Sequence, residues 1–268
     1  MFTVRKKILL LVIILFILPT LIWSGSKVYF YIPEANIHDY SLIKNVFGAY
    51  LAKFGDLNFQ PHSNESIFKK AIKKEKNGIF IMSSWLFNKL NTDNQLKPVF
   101  VMETDDGVTT KEVLVVKNTT SIKHLLSGGV LATSRCKVYV RHILEELFPG
   151  KDISKIKIIV VPRDMDALVS VEFGMSLASI TSNDSYKKLK TINKTSYQHL
   201  KVLAKTKKML RPIVVVNNNN KNDNKNIYKM LVNMSEDNDS KMLLDLMSFK
   251  RWKQITDREI KLLGISNE

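Results

Sequence analysis

From Lys27 onward the sequence keeps switching period. Short apolar runs rich in β-branched and aromatic residues alternate with stretches in which apolar residues recur every three or four positions. The first kind suits a buried strand and the second an amphipathic helix, so the order calls for an α/β fold, a sheet covered by helices. Runs at 28–32, 57–60, 79–82 and 98–102 read as strands. Between them, residues 39–54 place Leu42, Ile43, Val46, Phe47, Tyr50, Leu51 and Phe54 on one helical face, with Asp39 or Ser41 as the cap. Residues 64–74 predict a second helix closed by Asn77 and Gly78, and Ser83 and Ser84 open a short third through Leu90. The first third therefore reads β-α-β-α-β-α-β.

A polar, turn-rich break at 103–110 (ETDDGVTT) precedes a second series of the same kind. It comprises a strand at 111–117, a helical turn at 121–126, a strand at 130–132 and a helix at 134–148 ended by Pro149 and Gly150. A strand at 156–161, a helix at 164–173 stopped by Gly174 and a strand at 177–181 follow. A late strand at 211–216 leads into helices at 227–234, 241–247 and 257–263. The run 217–226 (NNNNKNDNKN) has nothing to bury and reads as a disordered surface loop without a functional role.

Residues 1–26 have another character: Arg5, Lys6 and Lys7, then an apolar run from Ile8 to Trp23, then small residues. That is the layout of a secretory signal, with Ser24 and Ser26 suited to a cut before Lys27. An uncleaved single-span anchor is the alternative, the apolar run being slightly short of the ~20 residues of a relaxed span. Either way the remainder crosses a membrane, and no Cys follows the run to carry a lipid anchor. The 268 residues suffice for one large domain or two lobes. An excess of 41 basic over 25 acidic residues admits anionic partners of several kinds. Lysines spread through KKAIKKEK, YKKLKTINK and AKTKKMLR, with few aromatics among them, read as solvated faces and not as a nucleic-acid surface. Cys136 stands alone, which excludes an internal disulfide and a cysteine-rich zinc site.

Motifs of catalysis are absent. The sequence has no HExxH, GxSxG or phosphate-binding loop, its five His residues lack metal-ligand spacing, and Gly128-Gly129 precedes a strand as a turn signal. No enzyme activity, metal or cofactor is expected. Strands that end at helix starts offer another chemistry. Ser83 and Ser84 lie at one such start, and Thr133 and Ser134, with Arg135 beside them, at another. Free backbone N–H groups and the helix dipole favour an anion there, and hydroxyls add donors without bulk. The same serines also suit plain helix capping. Tyr31 ends the first strand and flanks the same region, and Trp85 either closes over an organic group or belongs to the core.

The segments VYFYIPE, GIFIMSSW, GGVLATSRCKVYVRHIL and IKIIVVPRDMDALVSVEFGMSLASI, with LLDLMSFKRWKQIT near the end, resemble in order and spacing the type 2 periplasmic substrate-binding proteins. The resemblance is greatest to the branch serving phosphate, phosphite and phosphonate ABC transporters. It implies two α/β lobes joined by two hinge strands, with a ligand cleft between them. The lobes would be 27–105 with 212–268, and 106–211, and the hinges would lie near 103–111 and 208–212. It implies a monomeric extracytoplasmic protein, periplasmic or held at the inner membrane by its N-terminal segment. Such a protein captures a small oxyanion in the cleft at Tyr31, Ser83, Ser84, Trp85, Thr133, Ser134 and Arg135, and passes it to the transporter's membrane subunits. Two departures stand out: Ala132-Thr133-Ser134-Arg135-Cys136 replaces a Ser-Thr-x-Ser-Gly-like loop, and no acidic residue closely follows Gly174. A tethered sensor or protein-interaction domain that has lost transport is the competing reading.

Overall fold

The computed structural model describes residues 27–34, 40–55, 57–91, 95–217, 224–247 and 249–264. The expected signal or anchor, the Asp39 cap and 218–223 of the Asn-rich run lie outside them. Both flanks of that run belong to regular elements, since Asn217 ends a strand and Asn224 begins a helix.

The first half-sheet is built from β1 (Lys27–Tyr31), β2 (Asn58–Pro61), β3 (Ile79–Met82) and β4 (Leu96–Glu103), and is completed by β12 (Ile213–Asn217) and β13 (Arg251–Gln254). These make one mixed sheet of six strands in the order β13-β4-β12-β3-β1-β2. Its inner strands are buried on both faces. Val28, Phe30 and Ile32 pack into one core with Phe47, Tyr50 and Leu51 of α1 (Tyr40–Ala52). Tyr29 and Tyr31 point into a second, with Phe68 of α2 (Glu65–Lys74) and Leu86 and Phe87 of α3 (Ser84–Leu90). Period-two alternation thus feeds two apolar layers, which is why these strands read as unbroken hydrophobic runs.

The middle of the chain forms a separate five-stranded mixed sheet, ordered β10-β6-β9-β7-β8. Its strands are β6 (Glu112–Lys117), β7 (Val130–Thr133), β8 (Lys157–Val160), β9 (Ala178–Ser182) and β10 (Leu200–Lys205). Leu114 and Val116 of β6 meet α4 (Ile122–Leu126) and α5 (Lys137–Leu147), while Val113 and Val115 meet α6 (Asp164–Glu172) and α7 (Asn183–Ile192). A short helix, α8 (Lys194–His199), leads into β10. The predicted strands and helices of both series are present, with ends shifted by a few residues. The largest shift concerns the helix expected from Ser134, which begins at Lys137 and leaves Ser134, Arg135 and Cys136 in a loop. The final three helices are α9 (Asn224–Asn233), α10 (Asn238–Leu246) and α11 (Asp257–Leu262), all returned to the first sheet's side.

The chain passes between the sheets twice, and there β5 (Thr109–Thr110) pairs antiparallel with β11 (Met209–Leu210). Arg211 fastens this ribbon, its backbone N–H on Val108 O and its side chain on Gly107 O at 3.0 Å and Asp184 at 2.8 Å. The molecule is two-lobed, each lobe with its own sheet and cores.

Candidate ligand cleft

Open α/β sheets bind ligands beyond the carboxyl ends of their parallel strands, where helix starts converge. In the first lobe that edge carries the turn after β1 and the β3–α3 junction. Ser83 precedes α3 as its N-cap, yet its hydroxyl makes no capping bond and donates instead to the Glu34 carboxylate. Ser84 is committed elsewhere: its hydroxyl donates to Leu210 O at 2.6 Å, tying α3 to the ribbon. Tyr31 is packed into the lobe core against Phe68, with ring centroids 5.6 Å apart.

The second lobe presents the β7–α5 loop. Thr133 donates to Ile180 O at 2.9 Å and accepts from Arg135 N–H at 3.1 Å, so its hydroxyl shapes the loop. Ser134 donates to Asp164. Arg135 forks onto both Asp164 oxygens at 2.9 and 3.1 Å, and its Nε faces Glu112 at 3.5 Å. Asp164 also accepts from the backbone N–H and hydroxyl of Ser182. Burial alone would raise Asp164, but the guanidinium and these donors hold it below the usual carboxylate range. Glu112 is 2% exposed, its Oε2 has no partner, and burial pushes its carboxyl upward against the opposing pull of Arg135.

The lobes touch across this edge. The Cys136 N–H donates to Pro33 O at 3.1 Å. Trp85 of α3 stacks on His142 of α5 at 4.8 Å, with Tyr139 at 5.8 Å. Tyr139 in turn donates to Glu112 at 3.5 Å. Of the seven residues singled out in the sequence, Ser83, Ser134 and Arg135 carry the polar cluster. Trp85 seals the interface, Ser84 and Thr133 hold backbone, and Tyr31 is core.

Sequence reasoning passed over Glu34, Glu112 and Tyr139, and Asp164 entered it only as the start of the helix at 164–173. Arg163 is the N-cap of α6, and Asp164 begins the helix. Glu34 had a signal, since it ends the IPE turn directly after a strand, as Ser83 follows another. Glu112 had none: β6 runs antiparallel to β9, and only that pairing brings its first residue to the carboxyl ends of its neighbours.

Two lobes, two mixed sheets, a paired-strand crossing and a polar cluster at the strand ends define a substrate-binding protein of the bilobal α/β class. Residues 53–260 match the model of the family described as ABC transporter, phosphonate, periplasmic substrate-binding protein, and the chain belongs to that family. Its members capture solutes in the periplasm for ABC transporters. A phosphonate ABC transporter binding protein from Pseudomonas aeruginosa is similar in structure, with TM-score 0.58, 10% identity, and coverage of 90% of this chain and 86% of that one. PhnD1 from Prochlorococcus marinus, in complex with methylphosphonate, gives 0.56 at 17% identity over 90% and 97%. XAC2383 from Xanthomonas citri, bound to ATP, gives 0.60 at 10% identity over 90% and 95%. At these identities the likeness concerns the fold. No curated protein sequence matches significantly. Among the described residues no helix is long and apolar enough to cross a membrane.

Proposed function

We propose that this protein captures a small oxyanion of the phosphonate or phosphate type in the inter-lobe cleft and delivers it to the membrane subunits of an ABC transporter. The observation that carries the reading is the seating of carboxylates on the cleft donors. Ser83 of one lobe donates to the Glu34 carboxylate, and Ser134 with Arg135 of the other encloses Asp164. Donors that already hold carboxylate oxygens have the geometry and charge to hold those of a phosphonate. Capture needs no reaction: the anion exchanges water for fixed donors, and the closed form gains contacts that the open form lacks.

Isothermal titration with methylphosphonate, phosphite and phosphate tests this reading. At least one should bind, and Ser83→Ala and Ser134→Ala should each weaken it by about 1–3 kcal/mol, the value of a hydrogen bond to a charged partner. Wild-type affinity in both variants would place the ligand elsewhere, and no heat from any of the three anions would reject the oxyanion class.

A further inference from the structure

Two of the lysine runs that read as solvated faces in the sequence meet in the fold. Lys187 of α7, Lys205 at the end of β10, Lys208 just before β11 and Lys111 between β5 and β6 line one concavity of about 360 Å³ beside the inter-lobe ribbon. That volume falls within the roughly 300–1,000 Å³ of small-molecule sites. Backbone pairing fixes its walls: the Asn183 N–H donates to Lys111 O at 2.8 Å, and Thr110 pairs with Met209 across the ribbon. None of the four lysines forms a salt bridge among the described residues. Two carboxylates share the lining. Asp184 is held by Arg211 at 2.8 Å, which leaves the exposed Asp106 alone against four ammonium groups. The concavity is not the cleft described above, since none of Ser83, Ser134, Arg135 and Asp164 lines it. Ser182 turns both its donors to Asp164, and the chain then enters the concavity through Asn183 and Asp184.

A recess whose walls are mostly of one charge concentrates counter-ions and favours those that reach several charges at once. One exposed ammonium on one phosphate is worth little and is screened by salt, so a single small anion gains too little here to stay. A chain of phosphates engages several lysines together. The lining also holds a donor in need of an acceptor: the Thr110 hydroxyl oxygen is buried and has no hydrogen-bond partner. A hydroxyl in that state costs stability until an oxyanion accepts from it. We propose that this concavity is a second anion site, distinct from the solute cleft, which takes a soluble oligophosphate on Lys111, Lys187, Lys205 and Lys208 with the Thr110 hydroxyl as a neutral donor. Lys111 and Thr110 belong to one crossing between the lobes and Lys208 to the other, so the bound chain spans both. The inference stands apart from the proposed capture of oxyanions for transport and needs no residue of the cleft.

Isothermal titration of the full chain with inorganic tripolyphosphate at physiological ionic strength tests it, with phosphate and sulfate as controls. Tripolyphosphate should bind, and far more tightly than either control. Lys205→Gln with Lys208→Gln in one protein, and Thr110→Val in another, should each weaken it about tenfold. The lysines are exposed, and the valine keeps the shape while deleting an unpaired hydroxyl, so neither protein should lose thermal stability. Ser134→Ala should leave tripolyphosphate binding unchanged. A nucleoside triphosphate titrated in parallel tells the source: equal affinity assigns the site to the phosphate chain, tighter binding assigns it to a nucleotide, and either upholds it. No heat from tripolyphosphate, sulfate binding as tightly, full affinity in either hinge variant, or loss of binding in Ser134→Ala would overturn the proposal.

Discussion

Asp164 receives Ser134, both arms of the Arg135 fork and two donors from Ser182, so it neutralises a guanidinium whose side chain is only 15% exposed. Asp164→Asn keeps the shape and removes the charge, leaving Arg135 with Glu112 alone at 3.5 Å. The expected cost is about 3 kcal/mol, because most of the penalty of a broken buried pair is the charge left behind. Urea unfolding at neutral pH measures it, and an unchanged midpoint would mean that Glu112 suffices. The pH dependence follows from the direction of the Asp164 shift. A carboxyl depressed in the folded state contributes stability above its unfolded value, near 4, and loses it as pH falls through the folded value. The wild-type advantage over Asp164→Asn should therefore shrink below about pH 4. At this scale the sequence displayed the donors better than the acceptors. Ser83, Ser134 and Arg135 directly follow strands and could be placed from local order. Glu112 begins a strand, a position that faces away from the ligand edge in any parallel arrangement, and its role appears only once the antiparallel pairing of β6 with β9 is known.

Elements tell the same story through their edges. The central strands, with both faces buried, were visible as apolar runs, whereas β10 (LKVLAK) and β13 (RWKQ) were not. Each lies at the edge of its sheet. Lysines and arginines on an edge discourage pairing with other chains, and the same residues make the strand resemble a solvated helix face in the sequence. The α7 and α8 pair between β9 and β10 was missed with them, its lysines read as another basic surface. Turn glycines were more legible, and Gly129 can be tested. It joins α4 to β7 so closely that an added Cβ would lie 2.6 Å from Leu177 Cδ1, 3.0 Å from Leu125 Cα and 3.1 Å from His124 O. The leucine methyl can rotate away, but the two backbone atoms move only with the helix. Gly129→Ala should destabilise by about 1–3 kcal/mol, the usual cost of overpacking, and a melting temperature equal to wild type would show that α4 yields freely.

For the whole molecule the decisive question is what holds the lobes together in the absence of solute. Trp85 packs against a core of each lobe and stacks on His142. Its indole N–H is buried without a partner, so the ring acts through shape and stacking, with a polar penalty attached. Two substitutions separate these contributions. Trp85→Ala forfeits the stacking with His142 and Tyr139, worth about 0.5–1.5 kcal/mol per aromatic pair, together with the buried area. The sum is enough to move the closing equilibrium by tenfold or more. Trp85→Phe retains much of the stacking and deletes the orphan donor, and should stay closed. Scattering of the ligand-free proteins should thus show a larger radius of gyration for the alanine variant alone, with unchanged far-ultraviolet dichroism because neither sheet depends on the indole. If the alanine variant is as compact as wild type, closure rests instead on the Cys136–Pro33 backbone bond and the ribbon at β5 and β11. Opening in both variants would show that the full indole volume, and not stacking, keeps the lobes in register.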